Sequence, residues 1–154
     1  MRLQEQLAKI QKELHVGKTR KNDFANFQYR NCKDILSAVK PLLGEAVLKI
    51  SDQLRSINDL IYIEATVEMS LGEELTRVTA QAFVDFSKRG MSKEQQTGSA
   101  SSYARKYCLQ GLFLLDDGAL DPDAQDNATQ SDPVDSSNVS DTDRALSDTL
   151  EDIL

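Results

Sequence analysis

Two consecutive stretches of alternating residues limit what this chain can fold into. Between Ile61 and Leu71 every second residue is apolar, and the residues between are Tyr, Glu, Thr and Ser. Residues 77–86 repeat the pattern, and Gly72-Glu73-Glu74 lies between the two stretches. A period of two is typical of a strand with one packed face and one polar face. The pattern predicts an antiparallel hairpin, and residues 47–54 are the candidate for a third strand.

Three further segments have the three-to-four-residue spacing of an amphipathic helix. The first covers residues 2–14 and the second residues 34–43. Pro41 costs a helix interior about 3 kcal/mol, so the second helix should end or kink near residue 39 or 40. The third runs from about residue 98 to residue 115, beginning with small residues and becoming apolar. Two helices, a three-stranded antiparallel β-meander and a last helix predict an α+β fold.

The net charge of −7 is divided unevenly along the chain. Residues 1–115 contain 17 of the 18 Lys and Arg and 13 of the 25 Asp and Glu, for a net charge of +4. Residues 116–154 contain Arg144 and 12 acids, for a net charge of −11, and few apolar residues before Leu146. Such a segment cannot bury enough surface to offset chain entropy. We therefore predict a folded domain over residues 1–117 and an acidic, largely disordered tail over 118–154, with a short amphipathic terminal segment.

Membrane, secreted and zinc-binding classes lack their sequence signals. No apolar run approaches the roughly 20 residues needed to span a membrane. Charged residues interrupt the first 14 positions, which is unlike a signal peptide. Cys32 and Cys108 form no C-x-x-C pair, and the chain has one His, so no zinc site is predicted. These features favour a reduced, cytoplasmic location without membrane contact.

Nucleotide chemistry and catalysis also find little support. Gly17-Lys18-Thr19 resembles the end of a P-loop, but Lys12 stands where that motif needs a glycine. A helix is also predicted where the motif needs a strand. Glu64 and Glu68 share the polar face of the predicted hairpin with no lysine beside them, and we expect them to be solvated. The sequence predicts a protein that is not an enzyme and needs no cofactor.

One segment, residues 18–30, combines cations with aromatic rings. Its cations are Lys18, Arg20, Lys21 and Arg30, and its rings are Phe24, Phe27 and Tyr29. Exposed rings stack on bases and cations neutralise phosphates, which together bind single strands without reading their sequence. The alternative is that Phe24 and Phe27 belong to the core and only the cations are exposed. Both interpretations stay open.

A second segment, residues 95–107, contains small and hydroxyl residues at the predicted start of the last helix. Free N–H groups at a helix N-terminus bind phosphate, and Arg105 and Lys106 follow one to two turns later. The alternative is that the small residues let the helix pack closely on the sheet, with Tyr103 and Tyr107 in the core. Both can hold on opposite faces of the helix. The loop before it, residues 87–91, adds Lys88 and Arg89.

At these segments the chain resembles the Erf (essential recombination function) family of phage single-strand annealing proteins. The residues that carry the resemblance are Lys21-Asn22, Phe24, Asn26-Phe27, Tyr29-Arg30, Asp34-Ile35-Leu36, Pro41-Leu42-Leu43, Gln96-Thr97-Gly98-Ser99-Ala100, Ser102-Tyr103-Ala104-Arg105-Lys106-Tyr107, Leu109 and Asp116-Asp117. The resemblance covers roughly residues 2–123 and implies a β-β-β-α core. It also implies nucleotide-independent annealing of single-stranded DNA, rings or filaments of identical subunits, and action beside a phage exonuclease.

We therefore expect residues 1–117 to bind single-stranded DNA and anneal complementary strands in phage-type recombination. The candidate DNA-binding residues are Lys18, Arg20, Lys21, Phe27, Tyr29, Arg30, Lys88, Arg89, Ser102, Tyr103, Arg105 and Lys106. Alternatives are a passive module that coats single strands without annealing them and, more distantly, a protein-interaction adaptor. The acidic tail is expected to bind a phage exonuclease or a host single-strand-binding protein, to compete with DNA, or to act as a solubility tail.

Overall fold

The computed structural model describes residues 1–24 and 27–115, and describes Phe27 by its backbone alone. Its elements are α1 (Leu3–Glu13), β1 (Arg20–Asn22), β2 (Phe27–Tyr29), α2 (Cys32–Val39), a 3₁₀ turn (Lys40–Leu42), β3 (Val47–Ile57), β4 (Leu60–Leu71), β5 (Glu74–Phe83) and α3 (Lys93–Phe113). This order confirms the predicted α+β class. The predicted disordered tail and the domain boundary at residue 117 lie outside the described residues.

The three long strands form an antiparallel sheet in the order β3-β4-β5. Register is continuous through the sheet, so that Val67 pairs with Ile50 on one side and with Val78 on the other. The predicted alternation is confirmed on β4, where Ile63, Ala65, Val67 and Met69 are buried and the residues between them are half-buried. The sheet therefore has one packed face and one accessible face, as the period of two indicated.

β3 is longer than the predicted strand over 47–54 and continues to Ile57. The reason is a two-residue turn at Asn58 and Asp59, which have φ angles of 47° and 65°. Two left-handed residues in succession match the right-handed twist of a hairpin, and Asn and Asp tolerate that conformation better than most side chains. The β4–β5 turn uses Gly72 at φ 60°.

The helices agree with prediction except at the start of α3. α1 and α2 occupy nearly the predicted positions, and α2 ends at Val39, directly before the 3₁₀ turn that contains Pro41. α3 begins at Lys93, about five residues earlier than expected. The Ser92 hydroxyl accepts from the Gln95 N–H at 3.2 Å, and the Gln95 side chain accepts from the Ser92 N–H at 2.9 Å. This reciprocal cap satisfies two N–H groups and fixes the start of the helix.

α3 packs on the buried face of the sheet through small residues. Ala100, Ala104 and Cys108 are buried, and the Cys108 thiol donates to the Ala65 carbonyl oxygen at 2.8 Å. A Cβ placed on Gly111 would lie 3.1 Å from a methyl carbon of Val78. The helix therefore approaches the sheet closely. Among the described residues, no helix is long and apolar enough to cross a membrane.

α1 and α2 contact the same helix. The Gln11 side chain donates to the Leu112 carbonyl oxygen at 2.8 Å, and Ile10, Ile35 and Phe113 are fully buried in one core. α1 and α2 therefore pack against the C-terminal part of α3, whereas the helix keeps an accessible side at Gly98 and Ser102.

Candidate nucleic-acid interface

Within residues 18–30, β1 and β2 pair as a short antiparallel hairpin. Arg20 of β1 binds the Asp34 carboxylate with two hydrogen bonds, Nε to Oδ2 at 2.8 Å and Nη2 to Oδ1 at 3.0 Å. The arginine lowers the pKa of Asp34, and a backbone N–H from Asn31 lowers it further. Asp34 lies in the first turn of α2. This paired contact attaches the hairpin to the start of α2.

A second arginine–aspartate pair joins α3 to the sheet. The Arg105 Nε donates to Asp52 Oδ2 at 2.9 Å, and the Ser101 hydroxyl donates to the same oxygen. Asp52 lies on β3, and its surroundings on the sheet are apolar. Ile50 precedes it by two residues on the same face of the strand, and Ala65 is its partner on β4. The pKa of its carboxyl is lowered, first by Arg105 and then by Ser101. The pair therefore places a fixed guanidinium where the helix crosses β3.

The two segments meet at the N-terminus of α2. Cys32, the first residue of α2, interacts electrostatically with Arg105. Burial raises the pKa of the Cys32 thiol, and the positive charge of Arg105 opposes that rise. Because Arg20 holds the hairpin on this same turn of α2, the structure brings the hairpin and Arg105 to one region of the surface.

The basic loop is tied to the opposite end of the accessible part of α3. The buried Gln96 side chain donates to the carbonyl oxygens of Lys88 at 2.9 Å and Met91 at 3.2 Å. From Gln96 to Arg105 the helix rises roughly 13 Å. Ser102 and Tyr103 lie between these ends and are exposed. We call the side of α3 that contains Gly98, Ser102, Tyr103 and Arg105 the accessible strip.

The candidate residues divide by accessibility. The exposed ones are Lys21, Lys88, Arg89, Ser102 and Tyr103. Half-buried are Lys18 and Tyr29, and also Arg20 and Arg105, which form ion pairs. Arg30 and Lys106 are buried, with 6% and 8% of their surface exposed. The side chain of Phe27 lies outside the described residues. Phe24, whose position was left open, is fully exposed.

Arg30 and Lys106 have interior contacts. The Arg30 Nη1 donates to the Val16 carbonyl oxygen at 3.1 Å, which ties the end of β2 to the connector after α1. The Lys106 ammonium lies over the ring of Tyr103 at 4.9 Å and the ring of Tyr107 at 5.2 Å from their centroids. Both cations therefore contribute to the fold in addition to any contact with a ligand.

The expected phosphate-binding helix start at Gly98 is wrong. α3 begins at Lys93, so the N–H groups of Gly98 and Ser99 lie inside the helix. Here the capping box at Ser92 outweighed the small residues as a start signal. The close-packing interpretation of those small residues is confirmed for Ala100 and Ala104, which pack inward, whereas Gly98 and Ser102 are exposed. That interpretation was wrong to place Tyr103 in the core, because its side chain is exposed, and Tyr107 is half-buried.

Sequence reasoning also missed the carboxylates that hold the arginines. Asp52 could have been found, because a charged residue in the apolar register of β3 requires a partner. Glu64 and Glu68 were expected to be solvated, yet they lie 3.0 Å from Arg55 and 3.9 Å from Arg77. Arg55 lies on β3 and Arg77 on β5. The alternation along β4 alone did not show which residues of the neighbouring strands lie beside these glutamates. Within the described residues no cluster of metal-ligating side chains occurs.

The fold and the site together define an α+β domain of the β-β-β-α kind, with a strip of polar and cationic residues along its last helix. The family model described as "ERF superfamily" matches residues 3–148, and the chain belongs to that family. This confirms the resemblance in the sequence motifs. The chain is 45% identical over 124 residues to the "Essential recombination function protein" of Salmonella phage P22. The match covers 80% of this chain and 60% of that relative's length. No solved structure matches the chain significantly.

The Asp52–Arg105 pair predicts an acid dependence of stability. A carboxyl whose pKa is lowered on folding stabilises the fold above the ordinary Asp value of about 3.9. That contribution is lost as the pH falls below this value through the lowered one. We expect Asp52→Asn to reduce the free energy of unfolding at neutral pH and to make its decline below about pH 4 shallower, as measured by urea titrations across that range.

Asp34 has the same sign of shift, so part of the decline should persist in Asp52→Asn. Arg105→Met serves as the reciprocal variant, and combining it with Asp52→Asn should flatten the profile no further. A decline as steep in Asp52→Asn as in the unchanged chain would show that this ion pair does not contribute to stability in solution.

Proposed function

We propose that this protein binds single-stranded DNA and promotes the annealing of complementary strands, without nucleotide, in phage-type recombination. Membership of the ERF superfamily and the printed name of the phage P22 relative support a recombination role. The observation that carries the DNA-binding part is the anchored guanidinium of Arg105, at the junction of α3, β3 and the start of α2.

Arg105 can bind a phosphate because the hydrogen bond to Asp52 engages only part of its guanidinium group. Its Nε donates to Asp52, and among the described residues its two terminal nitrogens make no hydrogen bond. The side chain is 41% exposed. Guanidinium groups bind phosphate oxygens with two parallel hydrogen bonds. Because Asp52 and Ser101 already fix its position, less side-chain entropy is lost when a phosphate binds.

Exposed polar groups extend from Arg105 along the accessible strip. Ser102 supplies a hydroxyl, and the loop with Lys88 and Arg89 supplies exposed cations at the other end. Lys21 adds an exposed cation on the hairpin. Such an arrangement binds the sugar-phosphate backbone without reading bases. Annealing then needs no fuel, since base pairing between complementary strands is itself favourable.

The first test is fluorescence annealing of two complementary oligonucleotides without nucleotide, beside a single-strand binding titration at several salt concentrations. We expect annealing faster than the spontaneous rate. Arg105→Met should weaken single-strand binding and make the salt slope shallower by about 0.7, the loss of one phosphate contact. Arg77→Met is the matched control, because Arg77 is exposed on the accessible face of the sheet, away from α3.

Binding without acceleration would favour the passive coating module over an annealing protein. Neither binding nor annealing would overturn the proposal and favour the adaptor. Equal loss of slope in Arg77→Met and Arg105→Met would locate the phosphates elsewhere on the domain.

We also propose that copies of the chain assemble through their sheet edges. In the described residues β3 and β5 each have one neighbour, are 11 and 10 residues long, and contain no proline. An edge strand presents unpaired backbone N–H and C=O groups that can pair with another strand. Pairing β5 of one copy with β3 of the next uses two different surfaces, which produces rings or filaments and not closed dimers. This supports the oligomer that the family resemblance implied.

Lysines on β5 should weaken that assembly. Thr79→Lys with Gln81→Lys would add two positive charges to β5, whose proposed partner edge on β3 of the neighbouring copy already carries Lys49 and Arg55. Like charges across strands are unfavourable, and lysines on an edge strand oppose pairing. We expect light scattering after size exclusion to show a lower mean mass. The control, Thr66→Lys with Ser70→Lys, places two lysines on the central strand and should leave the mass unchanged. A monomeric unchanged chain at all concentrations would contradict the proposal.

The acidic segment at residues 116–154 is proposed to weaken DNA binding by its charge and to bind a phage exonuclease or a host single-strand-binding protein. The supporting observation is its net charge of −11 beside a body of +4. Truncation after Asp123 should tighten single-strand binding, most strongly at low salt, because repulsion from the phosphates is removed. Unchanged affinity together with unchanged partner capture would leave a solubility tail.

A further inference from the structure

Three residues of α3 form a compact cation–aromatic cluster on one side of the helix. Tyr103, Lys106 and Tyr107 follow the spacing of helical neighbours. The two rings lie 6.1 Å apart between centroids with an angle of 41° between their planes. The Lys106 ammonium is 4.9 Å from the Tyr103 centroid and 5.2 Å from the Tyr107 centroid. These distances are within the range of a cation–π interaction with both rings.

The members of the cluster differ in accessibility. Lys106 is 8% exposed, so its ammonium lies beneath the surface. Tyr107 is half-buried, whereas Tyr103 is 51% exposed on the accessible strip. Tyr103 is therefore the ring that presents much of its area to a ligand. It lies against the ammonium of the buried Lys106.

We infer that Tyr103 is a stacking platform for a base of the bound single strand, and that Lys106 is a positioning residue that holds this ring. The inference rests on the proposed function and assigns one base contact within it. It also revises the sequence-based expectation that Lys106 neutralises a phosphate. The cation acts on the ring, and the neighbouring Arg105 is left to bind the phosphate.

The position of Tyr103 relative to Arg105 supports this division. Successive residues of a helix are turned by about 100°, so Ser102 lies between Arg105 and Tyr103 around α3. The guanidinium and the ring therefore border the accessible strip on opposite flanks. Arg105 and Tyr103 are about 160° apart around the helix, so a strand that crosses the accessible strip at Ser102 can place a phosphate at Arg105 and the base of a neighbouring nucleotide on Tyr103.

Stacking of this kind suits a protein that must accept any sequence. Every base has a π-face, so a ring binds all four without reading their edges. A tyrosine whose ring is already held by Lys106 and Tyr107 has less motion to lose when a base stacks on it. The cluster supplies sequence-independent affinity that does not depend on salt.

The test compares an oligothymidylate with the same oligonucleotide carrying abasic residues at its centre. The full chain should bind the base-bearing strand more tightly. In Tyr103→Leu we expect this preference to fall by about tenfold, in line with the loss of one base–aromatic contact. Tyr103→Phe should keep the preference, and neither variant should alter the salt slope. The ring is half-exposed, so both variants are expected to fold, which circular dichroism checks.

Lys106 is tested by the same pair of oligonucleotides. Lys106→Met should reduce the preference for bases with no change in salt slope, and Lys106→Arg, which keeps the cation under the ring, should retain it. A slope shallower by about 0.7 in Lys106→Met would show a phosphate contact and overturn the positioning role. If Lys106→Met does not fold, Tyr103→Leu decides the stacking inference alone.

The outcomes separate this inference from the proposed function. An unchanged preference in Tyr103→Leu, or equal affinity of the full chain for both oligonucleotides, would overturn stacking and leave phosphate binding intact. No binding to either oligonucleotide would overturn the proposed function, and the stacking inference with it.

Discussion

β4 lies between the two other strands of the sheet and buries Ile63, Ala65, Val67 and Met69 along one face. Each large side chain of this kind stabilises a fold by about 1.5–3 kcal/mol when it leaves water, so the face has to be covered. α3 covers it, and the small residues Ala100, Ala104 and Cys108 let the helix lie close to the strand. A helix of 21 residues is about 31 Å long. α1 and α2 pack against its C-terminal part, and the accessible strip lies on the side of the helix that they leave uncovered.

Polar contacts then fix the remaining elements on this frame. Asp52 receives Arg105 and Ser101 from α3, Asp34 receives Arg20 from the hairpin, and Gln96 holds the loop that contains Lys88. Each contact joins two different segments of the chain and lies at the border between core and solvent. There an ion pair keeps part of its Coulomb attraction without the full cost of burying a charge. Under the proposed function, a phosphate reaches Arg105 at the same border, so that packing and binding would share this residue.

The sequence predicted what depends on local pattern. The alternation along β4 identified the packed face, Pro41 marked the end of α2, and the motif residues indicated the family. What it could not predict depends on distant partners. Arg30 was expected to be a surface cation, and nothing near it in sequence showed the Val16 carbonyl that it contacts. Lys106 differs, because its ring partners Tyr103 and Tyr107 are near it in sequence, but its burial could not be seen from the sequence alone. The start of α3 was predicted at Gly98 from the small residues that follow it. The capping residues Ser92 and Gln95 are the local signal that gives the start at Lys93.

The cations of the candidate interface are of two physical kinds, and the difference bears on how a strand is held and released. Arg105 is fixed by a carboxylate, so it offers a directed contact at low entropic cost, weakened by the negative charge behind it. Lys88 and Arg89 are exposed on a loop, and their attraction for phosphate is screened by salt. A protein that only coats DNA gains from the tightest contacts available. The proposed annealing requires the strand to be released once pairing is complete, and the anchored Arg105 among screened cations suits that requirement better than a row of strong contacts.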